Sequence, residues 1–152
     1  MRLALSADHA GFPMKREFVA SLTAAGHEVL DLGTYSADPV DYPDSAEAVG
    51  EALRDGRAER GIVFCGSGAG VSIAANKMPG VRAAVCHDSY TAHQAVEHDD
   101  MNVLCIGARV IGPALAQEII TAYLGARFSG EARHQRRLDK VMAIEQRYLS
   151  GR

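Results

Sequence analysis

Residues 61–77 read GIVFCGSGAGVSIAANK and carry the clearest indication of the fold class. The first five residues are apolar and typical of a buried strand, the next five hold three glycines, and a helix-like segment follows until Pro79 and Gly80 end it. A buried strand that leads through a glycine turn into a helix is a unit of a parallel α/β sheet. The stretch therefore predicts an α/β fold in which this turn follows the carboxyl end of a strand.

The alternation of strand and helix continues along the whole chain. Apolar runs predict strands at residues 2–6, 27–33, 61–65, 82–86 and 102–107, and helical patterns predict helices at residues 12–25, 46–53, 71–77, 90–97, 114–124 and 133–148. Residues 34–45, rich in Pro, Asp and Ser, are expected to form a loop. Strands without strict polar alternation are buried on both faces. We therefore predict a Rossmann-like three-layer sandwich: a five-stranded parallel sheet with helices on both faces and an extra C-terminal helix, in one domain spanning residues 1–152.

The last predicted helix and the segment around it carry two further signals. Its apolar positions Leu138, Val141, Ile144 and Tyr148 recur at intervals of three or four residues, so the helix needs a surface to lie on, which a partner subunit could supply. Residues 125–152 also hold seven Lys or Arg and three Asp or Glu, a net charge of +4 in a chain whose total is −3. This basic segment is either a solvated helix face or a local anion site.

Composition excludes several classes of protein. No apolar run approaches the roughly 20 residues that cross a bilayer, and the N-terminus lacks the long apolar segment of a secretory signal. Cys65, Cys86 and Cys105 form no CxxC pair and fit reduced thiols. The net charge of −3 gives no reason to expect nucleic acid. We expect a cytoplasmic protein with neither a membrane nor a nucleic acid as partner.

The fold predicts where a ligand would bind. In open α/β sheets, ligands lie outside the carboxyl ends of the strands. The predicted strand ends carry polar or reactive residues at 6–9, 65–67, 86–88 and 107–109. Those segments are therefore the first place to search for a functional site.

The turn at residues 66–70 is neither of the common nucleotide-binding loops, since it lacks the GK[ST] ending and has Val71 where GxGxxG needs its last glycine. Its amides can converge on an anion at a helix N-terminus, or the turn can be a tight connection without a ligand. Cys65, directly before the turn, is either a small buried residue or a reactive thiolate. Cys86 and Cys105 lack such a turn and are expected in the core.

A thiolate beside converging amides suits two kinds of chemistry. One is acyl transfer with cysteine as the nucleophile, which usually also requires a paired histidine. The other is proton abstraction next to a carbonyl, with the amides stabilising the enediolate oxygens. The residues alone leave both open.

Six separated motifs add a family resemblance. They are DHAG (8–11), GTYS (33–36), DYP (41–43), CGSGAGVSIAANK (65–77), NVLCIGARVIG (102–112) and RHQRR (133–137). In this order they closely resemble the type B ribose-5-phosphate isomerase family, which also holds galactose-6-phosphate and allose-6-phosphate isomerases. The resemblance runs from Met1 to the final helix.

The resemblance implies a homodimer or a tetramer of dimers, with active sites at subunit interfaces and no metal or other cofactor. It implies interconversion of an aldose phosphate and a ketose phosphate through a cis-enediolate. Cys65 would be the base, Ser67 would contribute a hydroxyl and His98 would open the sugar ring. Arg109 would reach the site from the partner subunit. The implied substrate-binding residues are Asp8, His9, Tyr42, Gly66, Gly68, Ala69, Gly70, Asp99, Arg109, Arg133 and Arg137.

The residues themselves support parts of this assignment. Arg133 and Arg137 are four apart on a predicted helix and share a face, where they could hold a phosphate or form an exposed basic face. His98, followed by two aspartates, could titrate near neutrality or be a surface histidine. Tyr42 either helps line the sugar pocket or belongs to a turn at a helix start.

Two departures from the family pattern matter. Some members place a glutamate base later in the glycine loop, whereas this chain has Cys65 and Ser72 and so matches the cysteine subtype. Many members have Asn where this chain has Asp99, and an ionised aspartate cannot donate a hydrogen bond. The resemblance makes D-ribose 5-phosphate the first expected substrate. A pocket altered at Asp99 could instead fit allose 6-phosphate or a four-carbon sugar phosphate, and a third hypothesis is a non-catalytic sugar-phosphate sensor.

Overall fold

The computed structural model describes residues 1–149 and contains five strands and six helices in that range. The elements are β1 Arg2–Ala7, α1 Phe12–Ala24, β2 Glu28–Asp31, α2 Tyr42–Arg54, β3 Arg60–Cys65, α3 Ala69–Ala75, β4 Ala83–Val85, α4 Ser89–Asp99, β5 Val103–Gly107, α5 Pro113–Gly125 and α6 Ala132–Leu149. The last three positions of the basic segment predicted at residues 125–152 lie outside the described residues.

The strands form one parallel sheet in the order β2-β1-β3-β5-β4. The predicted α/β class, the parallel sheet and the extra C-terminal helix are all confirmed. In the register, Ala7 of β1 pairs with Phe64, and Cys65 pairs with Gly107 of β5. The carboxyl ends of the three central strands therefore meet at one edge of the sheet, which we call the carboxyl edge.

Helices cover the sheet on both faces because successive strand side chains point to opposite sides. Ile62 and Phe64 belong to the cluster packed under α1, α4 and α5, where Phe18 stacks on Phe64 with ring centroids 5.8 Å apart. Val63 and Cys65 belong to the other cluster, under α2 and α3. The Cys65 side chain thus lies on the α2–α3 face of the sheet.

One predicted boundary is wrong in a way that matters for the site. The loop expected at residues 34–45 ends at Asp41, because α2 begins at Tyr42. Pro43 is compatible with the first turn of a helix, where no intrahelical partner is required of its nitrogen. Tyr42 is therefore the first residue of a helix, as in the alternative that placed it at a helix start, and not part of the preceding loop.

The C-terminal helix α6 packs on α4 outside the main sandwich. Glu145 anchors it by accepting the Gly80 N–H at 3.0 and 3.1 Å. Several of its apolar side chains remain exposed, namely Val141, Met142, Ile144, Tyr148 and Leu149. No helix among residues 1–149 has both the length and the apolar character needed to cross a membrane.

Candidate active site

The thiol of Cys65 lies under the glycine turn at the carboxyl edge. Its Sγ accepts the Gly68 N–H at 3.0 Å, and Gly68 reaches this position in the left-handed region with φ +83°. A donated N–H stabilises a thiolate more than a thiol. Cys65 is only 4 % exposed, while Ser67 and Ala69 on the rim of the turn are exposed. A substrate would therefore reach the sulfur from the side of that rim.

The other two cysteines are structural. Cys86 and Cys105 are buried, and burial raises the pKa of Cys86 to about 11 and also raises the pKa of Cys105. Both thiols stay protonated at neutral pH, in keeping with the expectation that they belong to the core.

The turn is fixed from below by the end of β5. The Ala108 N–H donates to the Cys65 carbonyl at 2.7 Å and the Arg109 N–H donates to the Gly66 carbonyl at 3.0 Å. A Cβ on Gly107 would lie 2.6 Å from the carbonyl carbon and oxygen of Ser67. Only glycine at position 107 therefore lets the turn sit this close to the sheet.

Asp8 and His9 follow β1 and lie beside the same turn. The Asp8 N–H donates to the Phe64 carbonyl at 3.1 Å, and the Asp8 Oδ1 accepts the Ala10 and Gly11 N–H groups at 2.9 and 3.0 Å. The Asp8 Oδ2 has no hydrogen-bond partner within residues 1–149 and is not fully buried. Asp8 thus holds the start of α1 with one oxygen, while its other oxygen makes no hydrogen bond to residues 1–149.

Tyr42 and Arg109 flank the turn on two sides. A Cβ on Gly70 would come within 2.9 Å of the Tyr42 ring, and a Cβ on Gly66 would lie 3.5 Å from the Arg109 Cδ and Nη1. Both residues are exposed, Tyr42 to 44 %. Arg109 was expected to arrive from a partner subunit. It lies beside Gly66 of its own chain, because β5 and β3 are neighbours in the sheet.

His98 lies near the end of α4 and stacks on a second histidine. Its ring centroid is 4.0 Å from that of His134, with the planes inclined by 26°. His134 is 2 % exposed, and its Nδ1 lies 2.6 Å from the Ser129 Oγ. Burial lowers the pKa of His134, as do the nearby His98 and Arg133. His134 is therefore a neutral ring at pH 7 against which His98 is oriented.

The end of α4 is held rigidly. Asp100 follows His98 and Asp99 in the left-handed region with φ 52° and ends the helix. Arg82 donates to the Asp100 carbonyl and to its carboxylate, both at 2.7 Å. These charge-assisted contacts fix the position of His98 from the side of the sheet.

Arg133 and Arg137 are exposed on α6, one on each side of His134 in sequence. The Arg133 Nε contacts Glu131 at 2.9 Å, an exposed pair that contributes little to stability. Arg137 and Asp99 line one groove of about 810 Å³ between α6 and the β4 side of the sheet. The basic residues thus share one region with His98 and Asp99.

The predicted residues therefore form two groups at opposite ends of the sheet. The first half-site, at the carboxyl edge, comprises Asp8, His9, Tyr42, Cys65, Ser67, Gly66 to Gly70 and Arg109. The second half-site comprises His98, Asp99, Arg133 and Arg137. It lies at the amino edge because α4 starts after the carboxyl end of β4 and returns to the start of β5. The length of β5, about 13 Å, separates the two edges.

Two histidines that the sequence reasoning did not single out belong to these half-sites. His87 Nε2 accepts the Gly107 N–H at 2.9 Å, directly under the glycine turn. His134 supports His98, as described above. His87 was within reach of sequence reasoning because it belongs to a strand-end segment. His134 stands in the basic run RHQRR, where the neighbouring arginines dominate the pattern.

Comparison with known proteins assigns this arrangement to a family. Residues 3–141 match the family model described as Ribose/Galactose Isomerase. The chain is 47 % identical over 146 residues to ribose-5-phosphate isomerase B of Escherichia coli K12, covering 96 % of this chain and 97 % of that protein. It is 44 % identical over 134 residues to D-erythrulose-4-phosphate isomerase of Pectobacterium atrosepticum, covering 86 % of each.

A solved structure agrees with the sequence matches. The structure of ribose-5-phosphate isomerase B from Clostridium thermocellum superposes with a TM-score of 0.95 at 47 % identity, covering 97 % of this chain and 99 % of that one. The matches extend over both half-sites, since the family model spans residues from β1 into α6. The chain therefore belongs to the ribose/galactose isomerase family and is an isomerase.

Proposed function

We propose that this isomerase interconverts D-ribose 5-phosphate and D-ribulose 5-phosphate through a cis-enediolate, with Cys65 as the base. The observation that carries the proposal is the contact between the Cys65 Sγ and the Gly68 N–H inside a half-site with Asp8, His9 and Arg109. The relatives named ribose-5-phosphate isomerase B support the choice of sugar.

The reaction moves one hydrogen between carbons and one between oxygens. The Cys65 thiolate removes the proton from C2 of the open aldose, and the electron pair moves to the aldehyde oxygen O1 to form the enediolate. The thiol then returns the proton to C1, while the O2 hydroxyl proton passes to O1. No electron acceptor is consumed, because C1 is reduced as C2 is oxidised. The amides of residues 66–70 and the Ser67 hydroxyl stabilise the charge on the oxygens.

The cyclic sugar must open before this step. In our proposal His98 donates a proton to the ring oxygen as the C1–O bond breaks, and a base takes the O1 hydroxyl proton. Arg133 and Arg137 bind the phosphate, whose oxygens suit forked guanidinium contacts. These residues belong to the half-site at the amino edge, so within one chain they cannot meet Cys65.

We therefore propose that a second copy of the chain completes each site, in a homodimer or in a tetramer built from dimers. A two-fold axis would bring His98 of each copy to the glycine turn of the other, giving two equal sites. The exposed apolar side chains of α6 and the exposed Ile73 of α3, 63 % accessible, support this arrangement. A second copy would bury such exposed apolar side chains.

A specific observation favours a second substrate class. Asp99 and Arg137 line the same groove, so the groove proposed for phosphate binding also carries a carboxylate. One relative at 44 % identity is named D-erythrulose-4-phosphate isomerase. A four-carbon sugar phosphate is thus the alternative substrate, with the same enediolate chemistry.

The test is incorporation of solvent deuterium into a panel of four-, five- and six-carbon aldose phosphates. We expect exchange at C2 and product formation, with kcat/KM largest for ribose 5-phosphate. Cys65→Ala should abolish exchange and retain sugar-phosphate binding, whereas the control Cys86→Ala should retain turnover. Exchange at the normal rate in Cys65→Ala would reject the assigned base.

A further inference from the structure

One contact of the first half-site links a loop to a proposed ligand-binding histidine. The Val40 main-chain N–H donates to the His9 Nδ1 at 3.2 Å, across 31 positions of sequence. We propose that this amide is a positioning group that fixes neutral His9 in the tautomer with its proton on Nε2. His9 then presents a hydrogen-bond donor to a phosphate or hydroxyl oxygen of the substrate. The inference rests on the function proposed above.

The tautomer follows from the hydrogen-bonding capacity of imidazole. A neutral ring has one nitrogen that donates and one that accepts. Because the Val40 N–H can only donate, the His9 Nδ1 must accept, and the proton resides on Nε2. The other tautomer would place a hydrogen on Nδ1 against the amide and leave that amide without an acceptor.

The remaining nitrogen is available for a ligand. His9 is half-buried, and its Nε2 has no hydrogen-bond partner within residues 1–149 and is not among the buried unpartnered atoms. The adjacent Asp8 keeps a free Oδ2, so the pair offers one donor and one acceptor next to the glycine turn. A polyol phosphate, which carries both hydroxyls and anionic oxygens, is matched by such a pair.

The amide can impose this choice because its loop is anchored at both ends. At one end, the ammonium of the fully buried Lys15 donates to Asp31 and, at 2.7 Å, to the Thr34 carbonyl. At the other end, Asp41 leads directly into α2. The loop is thus ordered before substrate arrives, and orienting His9 requires no further loss of loop entropy on binding.

The test is NMR of the ligand-free enzyme with ¹⁵N-labelled histidine, which distinguishes the two tautomers through nitrogen shifts and two-bond couplings. Wild-type His9 should carry its proton on Nε2. Val40→Pro removes the amide hydrogen and should give a mixture of tautomers, while the matched control Val40→Ala keeps the amide and should resemble the wild type. A proton on Nδ1 in the wild type, or an unchanged spectrum in Val40→Pro, would overturn the inference.

A second test compares the kinetics of two His9 variants, and it does not require the loop to tolerate a proline at position 40. The side-chain NH₂ of glutamine reaches the position of Nε2, and that of asparagine the position of Nδ1. For the sugar phosphate of the panel with the highest kcat/KM, the KM of His9→Gln should therefore be about tenfold lower than the KM of His9→Asn. This ratio corresponds to the loss of one hydrogen bond. A lower KM for His9→Asn would overturn the inference. If no sugar phosphate in the panel is turned over, the proposed function fails instead, and the tautomer of the ligand-free enzyme still decides the inference.

Discussion

Replacing Gly107 by alanine should disable the active site while leaving the fold in place. The new Cβ would lie 2.6 Å from the Ser67 carbonyl carbon and oxygen. Position 107 cannot retreat easily, because β5 is hydrogen-bonded to β3 on one side and to β4 on the other. The glycine turn above it must therefore move.

The size of the effect follows from that distance. Restoring an ordinary contact of about 3.4 Å requires the turn to shift by roughly 0.8 Å. A displacement near 1 Å of a catalytic group can reduce the rate about 100-fold. Overpacking of this kind also costs about 1–3 kcal/mol of stability. We therefore expect kcat/KM to fall about 100-fold while the variant stays folded at 25 °C.

The assay combines steady-state turnover, solvent deuterium exchange at C2 and thermal unfolding. Gly125→Ala is the matched control, since a Cβ there would meet nothing within 4 Å, and it should retain wild-type kcat/KM. If Gly107→Ala turned over at the wild-type rate, the placement of the turn over the sheet would not govern catalysis and our reasoning would be wrong.

Three further predictions concern the parts that support the site. Asp31→Asn should lower the free energy of unfolding by about 3–5 kcal/mol, because it removes the negative charge that compensates the buried Lys15 cation, whose side chain is 1 % exposed. Lys15→Met should cost only about 2 kcal/mol, since Asp31 remains partly solvated, and equal losses in urea unfolding would contradict this ranking. The pKa of His134 is lowered from 6.5 in the folded state, so as the pH falls the unfolded chain binds a proton at this residue before the folded chain does. The free energy of unfolding should therefore decrease as the pH drops below about 6.5, and it should decrease less steeply in His134→Gln. Urea unfolding at a series of pH values measures both slopes. Arg137→Ala should raise KM about tenfold or more with little change in kcat, and an unchanged KM would remove Arg137 from the site.

Sequence reasoning predicted the sheet because the strands are continuous apolar runs, and it predicted the end of α1 to within one residue because Gly26 stops the helix. It predicted the start of α2 wrongly, because Pro, Asp and Ser, which favour turns, also occur in the first turn of a helix, as they do from Tyr42 onward. The buried Lys15 was invisible, because only the fold brings Asp31 to it.

The separation of the site residues into two half-sites could have been predicted from the sequence. A helix that follows a parallel strand returns to the opposite edge of the sheet, so a histidine at the end of α4 must lie far from one at the end of β1. Predicting that Arg109 lies beside the glycine turn of its own chain requires the strand order, because β5 and β3 are neighbours only in the assembled sheet. Strand order depends on which helix faces pack together, and a single sequence does not state it.

If Cys65 of one copy works with His98 of another, a mixture of two inactive variants should regain activity. Cys65→Ala and His98→Asn are each expected to be inactive as pure proteins. After subunit exchange at equal concentrations, half of the dimers should be mixed, and each should carry one intact site and one site with both changes. We predict recovery of about one quarter of wild-type activity. If the mixture remains as inactive as its components although exchange is complete, the two residues do not act together across copies and the account is contradicted.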